Sequence, residues 1–405
     1  MKSLKELFVI GPGPSSSHTI GPKKAAETFL AKYNDADHFK VILYGSLSLT
    51  GKGHLTDYII QKTLKNCEIV FDYKNLNLDH PNTMEFFAYD KNENLIGYNK
   101  CFSLGGGAIS FENEQFLDSK DVYPFNTYDD MERKLEELNL KHFYQLVYHY
   151  EDDDIEEYLT NCLYKMFECI EDGLNTTGLI PGKLKLERVA KKIYETAVYE
   201  DLTLEENKRL LISAYAYAVA ENNASGHDVV TAPTCGSAGV IPATLYYQYK
   251  HNNKSIQDLV HALMIAGLIG NLVKTNASIS GAVGGCQAEI GTATAMAAGA
   301  LSFVNGLNHY QIEYASEVAM EHMLGLTCDP VLGYVQIPCI ERNAIAALRV
   351  YDSYLYAKII AGKRKNRISL DDVIKAMKLT GDGLSFEYKE TSQGGLAVVH
   401  NKNND

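Results

Sequence analysis

The chain has 405 residues, of which 22% are charged and 46% belong to the hydrophobic set. That composition excludes a disordered or collagen-like polymer and suits two or three domains. With 38 Lys and Arg against 51 Asp and Glu, the formal charge is -13, which argues against nucleic-acid binding as the main activity while leaving a locally different field open for an anionic substrate.

Ser3 with Glu6 predicts a capping box on a short first helix. The opening MKSLKELFVIGPG carries Lys5 and Glu6 and lacks an apolar run followed by a small-residue cleavage site. It is therefore not read as a signal peptide, and the cytoplasm is the expected compartment. The loop GPGPSSSHTIGP leads into an amphipathic helix over 23–33, with Pro22 at its first position. Runs at 39–44, 68–73 and 85–89 predict strands, and 55–64 predicts a helix. Residues 1–150 are thus expected to form an α+β domain.

The acidic run Glu151-Asp152-Asp153-Asp154 is expected to mark a boundary or a solvated helix start, and residues 151–405 read as all-helical. Cys162 and Cys169 fall on the apolar face of the first helix there, with Leu159, Leu163, Met166, Phe167 and Ile170. Thr203 with Glu206 caps a helix ending near 222, and Ser369 with Asp372 caps another. The Ala- and Gly-rich stretches 262–272 and 291–302 predict central buried helices too short to cross a bilayer.

Two nucleotide motifs fail. In Gly11-Pro12-Gly13 the third glycine of a dinucleotide fingerprint falls on Ser16, and two prolines stiffen the loop. In GSLSLTGKGH the spacing from Gly45 to Gly51 is wrong for a P-loop, and Gly53 replaces the hydroxyl that would hold magnesium. The loop Ser15-Ser16-Ser17-His18-Thr19 precedes a helix, so its hydroxyls and N–H groups suit a small carboxylate or simply cap the helix. His54, between glycines and a helix start, is either poised as an acid or base or sits in a surface turn. Asp79–Asn82 and Ser103–Gly107 read as tight turns, and 232–239 can offer N–H groups to a carboxylate. Asn276 and Ser278 lie in a polar cluster just before Cys286.

Eight cysteines in such a chain are not expected to form disulfides, and most read as small buried hydrophobes. Cys286, Cys328 and Cys339 differ, because each sits in a Gly- or Pro-marked segment where backbone can approach a metal closely. Their gaps of 42 and 11 residues include no CxxC pair, so spacing alone is a weak signal.

Taken in order, PSSSHTIGP, YGSLSLTGKGHLTD, SLGGGAI, APTCGSAGVIPA, GNLVKTNASISGA, GCQAEIGTA, CDP, VQIPCIERNA and YKETSQGGLAV span nearly the whole chain. Together they resemble the iron–sulfur-dependent L-serine dehydratases (L-serine ammonia-lyases) in their single-chain form. The resemblance implies a β-type α+β domain over 1–150 followed by an all-helical catalytic domain over 151–405. It implies that Cys286, Cys328 and Cys339 hold a [4Fe–4S] cluster whose fourth iron has no protein ligand. An open iron then acts as Lewis acid while a base takes the α-proton of serine, and loss of hydroxide leads through aminoacrylate to pyruvate and ammonia. His54 is the expected base, with His18 its competitor. Ser15, Ser16, Ser17, Thr19, Asn276 and Ser278 are expected to bind the substrate carboxylate. A homodimer acting on a small amino acid is implied, in amino-acid degradation and gluconeogenesis, with no nucleic-acid or membrane partner.

Departures from the family strings fall at Val283, where an acidic residue is usual, and at Leu332 and Tyr334. These bear on substrate preference. The HNKNND end has no Cys after Cys339, so no tail thiol is expected at the site. Competing readings are a related lyase acting on threonine or cysteine, a pyridoxal-phosphate enzyme built on Lys52 or Lys274, and a non-catalytic iron or amino-acid sensor.

Overall fold

In a computed structural model, which describes residues 1–75, 78–112 and 120–402, two large hydrophobic cores separate. Part of the HNKNND end, 403–405, lies outside the described residues.

The smaller core belongs to a five-stranded sheet in the order Cys67–Phe71, His38–Leu43, Thr83–Tyr89, Leu95–Gly105, Ala108–Phe111. The first pair is parallel and the others are antiparallel. Alternation along His38–Leu43 turns Phe39, Val41 and Leu43 inward. There Phe29, from the helix Gly21–Lys32, meets Phe39 and Phe86. The three expected strands and the helix Thr56–Thr63 are present with small shifts of their ends. The hairpin of the last two strands was not anticipated: Leu95, Ile96 and Tyr98 are exposed, which breaks the apolar alternation that marks a strand.

The remainder is predominantly helical, so the molecule is an α+β N-terminal region followed by an all-α one, as the composition of its segments predicts. Helices Ile256–Asn276 and Thr292–Val304 run through the larger core. The first is, against expectation, long and apolar enough to span a bilayer by length and composition. However, 78% of its apolar window is buried inside the protein, which is where its hydrophobicity is used. Two of the three expected capping boxes are formed, on Leu204–Ala224 and Leu370–Gly383.

The larger core also takes in Met1, Leu4, Leu7 and Phe8, together with Tyr123, Tyr128 and Phe143. The expected boundary at 150 therefore falls inside this core. The acidic run explains why. Glu151 accepts hydrogen bonds from the Ser3 hydroxyl (2.6 Å), the Leu4 N–H (2.7 Å) and the Tyr123 hydroxyl (2.7 Å), while Asp154 pairs with Lys5 at 2.5 Å. Ser3 caps a single turn, Leu4–Glu6, but the carboxylate completing that cap is Glu151, not Glu6. From this anchor the chain runs into the short strand Ile10–Pro12, paired antiparallel with Asp228–Val230, and so delivers the serine loop to the helical part. Glu151→Ala removes three hydrogen bonds to a charged acceptor. It is expected to lower unfolding free energy by about 2–3 kcal/mol, read as an earlier urea midpoint at unchanged slope.

Candidate active site

One narrow cavity is lined by Ser15, His54, Gly236, Cys286, Glu289, Cys328, Cys339 and Glu390, with three apolar residues. It lies where the sheet unit, the serine loop and the helical region meet.

The cysteines reach it from three separate backbones. Cys286 precedes the turn Gln287–Gly291 and follows Gly285, whose φ is +73°. Cys328 sits in a bridge in which its N–H donates to the Tyr388 carbonyl and its own carbonyl accepts from the Glu390 N–H, both at 2.8 Å. Cys339 is the first residue of the helix Cys339–Ile360, where a thiolate is favoured. Burial pushes the Cys286 thiol up to about 11, and those of Cys328 and Cys339 well above their usual value. The neighbouring Arg342 guanidinium opposes this at Cys286, and it is itself held by the Thr327 carbonyl (2.6 Å) and Asp329 (3.5 Å).

This donor set fits an iron–sulfur cluster. Three soft thiols face one cavity, a guanidinium lies near one of them, and among the described residues no fourth cysteine lines it. Gly281 keeps the space open: a Cβ there would fall 3.1 Å from Cys328 Sγ and 2.8 Å from a Glu289 oxygen. A bound metal would displace the protons that burial holds on these thiols.

The two histidine rings lie 4.5 Å apart between centroids, tilted by 31°, and both are fully buried. His54 Nδ1 lies 2.9 Å from the Thr50 carbonyl, which can only accept, so this nitrogen carries the proton. Its Nε2 has no hydrogen-bond partner and faces Glu390 Oε1 at 3.4 Å. His18 is engaged at both nitrogens. Its Nε2 lies 3.0 Å from Ser46 Oγ, whose own proton goes to the Glu390 carbonyl (2.7 Å), so Nε2 donates. Its Nδ1 then accepts from the Ser17 hydroxyl at 2.9 Å and lies 3.5 Å from Glu390 Oε1. Burial drives the His18 ring down to about 4, against the pull of Glu390. Burial alone would push Glu390 up, but the facing His18 and His54 and the Ala282 N–H hold it below the usual carboxylate range. For Glu289, burial and then the neighbouring Glu390 push the carboxyl up to about 8.

Of the sequence candidates, Ser15, His54 and the three cysteines line the cavity. Ser17 holds His18, Thr19 donates to the His54 carbonyl at 2.8 Å, and Ser16 is buried in the same turn. Asn276 is not brought there: its amide donates to the Asn126 and Leu272 carbonyls. Ser278 caps the Ser280 N–H and lines a separate cleft with Val283, Gly284 and Met377. Lys274 donates to the Glu6 carbonyl and Lys52 lies over the Phe71 ring, so neither faces the cavity. Glu289, Glu390, Ser46 and Arg342 were missed. Each lies inside a string quoted above, but a lone carboxylate or hydroxyl in a string carries no signal of its burial.

His18, His54 and Glu390 also bring three ligand atoms within 4.8 Å of one another, a spacing that suits a metal ion. Here, however, both nitrogens of His18 are already satisfied by hydroxyls.

Comparison with known proteins finds two matching family regions. The serine dehydratase beta chain family matches residues 3–68, and the serine dehydratase alpha chain family matches residues 61–397. A protein named L-serine dehydratase from Streptomyces coelicolor is 38% identical, with 98% of each chain covered. L-serine dehydratase 2 of Escherichia coli K12 is 38% identical over 98% of this chain and 99% of its own. An L-serine dehydratase of Haemophilus influenzae is 36% identical at the same coverage. With both family regions joined end to end in one polypeptide, this chain belongs to the serine dehydratase family.

Proposed function

We propose that the protein is an L-serine ammonia-lyase, converting L-serine to pyruvate and ammonia with a [4Fe–4S] cluster held by Cys286, Cys328 and Cys339. The observation that carries this reading is the single cavity shared by three thiols and one imidazole with a spare nitrogen. Bound there, the cluster supplies a Lewis-acidic iron without a protein ligand, which makes a β-hydroxyl a better leaving group.

The chain's own residues do the rest. His54 is the base, because Thr50 fixes its tautomer and leaves Nε2 with a lone pair at the cavity wall. Glu390 faces that nitrogen at 3.4 Å and stabilises the imidazolium formed when the α-proton arrives. His18 is a positioning residue: both its nitrogens are engaged, and it does not line the cavity. Ser15 meets the substrate carboxylate, while Ser17 and Thr19 hold the loop around it. Departure of hydroxide from the β-carbon as the α-proton leaves gives 2-aminoacrylate, and its imine tautomer takes up water to release ammonia and pyruvate. Exclusion of bulk water by the buried site protects the base until then.

Serine is favoured over other β-substituted amino acids because the family departures lie off the cavity wall. Val283 lines the separate cleft, Leu332 is 38% exposed, and Tyr334 packs against Gly182. The reading carries with it a cytoplasmic homodimer in amino-acid degradation and gluconeogenesis.

Protein purified and reconstituted without oxygen is expected to be brown and to form pyruvate from L-serine. Activity should die in air and return with iron and sulfide, and Cys328→Ser should lose the cluster absorbance. A colourless, inactive protein after such reconstitution would remove the cluster from this site. His54→Ala is expected to lower turnover about 100- to 10,000-fold with cluster absorbance intact; full activity in that variant would sink the base assignment.

A further inference from the structure

Glu289 is a cavity-lining carboxylate that forms no ion pair among the described residues. Glu390 faces two imidazoles, and Arg342 faces Asp329 and the Cys286 thiol. Among the described residues Glu289 has one hydrogen bond, from the Thr234 hydroxyl to Oε1 at 2.6 Å, and no ion pair. Its other oxygen is left toward Gly281, where only the missing Cβ makes room. Gly236 gives the same clearance on the second side, since a Cβ there would lie 3.1 Å from Oε1. A carboxylate that lines a narrow cavity with one hydrogen bond is costly to keep charged without a partner.

We propose that Glu289 receives the α-ammonium group of the substrate, and so selects amino acids over hydroxy acids of the same shape. The inference rests on the amino-acid lyase reading above and names the group that recognises the amine. The chemistry is that of a charge-assisted N–H···O pair in a site shielded from water, where it is worth more than at a surface. The placement agrees with the base. Glu289 and His54 line the same cavity, and the ammonium and the acidic hydrogen sit on one carbon. Thr234 fixes Oε1, so the carboxylate cannot turn away from an incoming amine. Deleting the ammonium leaves this oxygen pair without a partner, which is how a polar site rejects an analogue lacking one group.

The test uses the cluster-loaded full chain and a pair of unreactive ligands, L-alanine and propanoate, which differ only in the ammonium group. Binding is read by calorimetry and by the change in cluster absorbance, so it does not depend on turnover. In the wild-type protein L-alanine should bind more tightly than propanoate. Glu289→Gln should weaken L-alanine about 30-fold or more and leave propanoate within about 3-fold. Equal weakening of both, or no change in either, overturns the proposal. So does a fall in kcat for L-serine with L-alanine binding unaltered, which would make Glu289 a proton donor instead. If Glu289→Gln does not retain the cluster, Thr234→Val loosens the same oxygen and should weaken L-alanine by about 3- to 10-fold with propanoate unmoved. Equal effects there overturn it as well. A wild-type protein that binds L-alanine over propanoate but makes no pyruvate from L-serine would fail the lyase reading while keeping this one.

Discussion

A carboxylate buried between two imidazoles is the constraint on which the rest of the site depends. Glu390 Oε1 lies 3.5 Å from His18 Nδ1 and 3.4 Å from His54 Nε2. Its backbone is bound as tightly as its side chain: the carbonyl accepts from Ser46, and the N–H donates to Cys328. Glu390 thus fixes the serine loop, the His54 turn and Cys328 relative to one another. Cys328 and Glu390 lie hundreds of residues after the other two in sequence, and the groups are useless to one another unless held together.

The same pair explains why one histidine is free to act and the other is not. A neutral imidazole has one donor and one acceptor nitrogen. In His18 both are spent on hydroxyls that are themselves committed, and burial keeps the ring neutral. In His54 the donor is spent on a carbonyl, and the acceptor faces a carboxylate that can accept but not donate. Two acceptors at that distance make no hydrogen bond, so the His54 Nε2 lone pair is left unspent at the cavity wall.

Much of this was legible in the sequence where a local rule applies. Caps at Thr203 and Ser369 follow from side-chain spacing, and strand 38–43 follows from alternation. The three cysteines stood out only as members of an ordered set of strings, because no local spacing ties residues brought in by three different backbones. The acidic run at 151 looked like a solvated boundary, since nothing nearby in sequence reveals that Ser3, Leu4 and Tyr123 use its first carboxylate. Asn276 and Ser278 looked like site residues through their closeness to Cys286, yet Gly281 and Gly285 redirect the chain between them and the thiol. Glu390 and Glu289 were invisible for the opposite reason: their importance is a matter of what they lack nearby, and a sequence does not record partners.

At Gly53 and Gly333 the sheet unit and the helical region meet backbone to backbone, and this bears on how accurately the site is held. A Cβ on Gly53 would lie 2.2 Å from the Gly333 carbonyl, and Gly333 in turn rests on Thr50 with φ of +73°. At the far side Gly105, Gly106 and Gly107 all have positive φ, and the hairpin tip they form presses on Ser280 and Ile279. Side chains at such contacts would offer rotamers, and each rotamer would set a different spacing between the sheet unit that carries His54 and the helices that carry the cysteines. Backbone against backbone leaves few alternatives. The TGKG and GGG strings that resemble a phosphate loop and a turn are thus close-contact spacers, and their glycines are required by the distance between His54 and the three cysteines as much as by the turns they form.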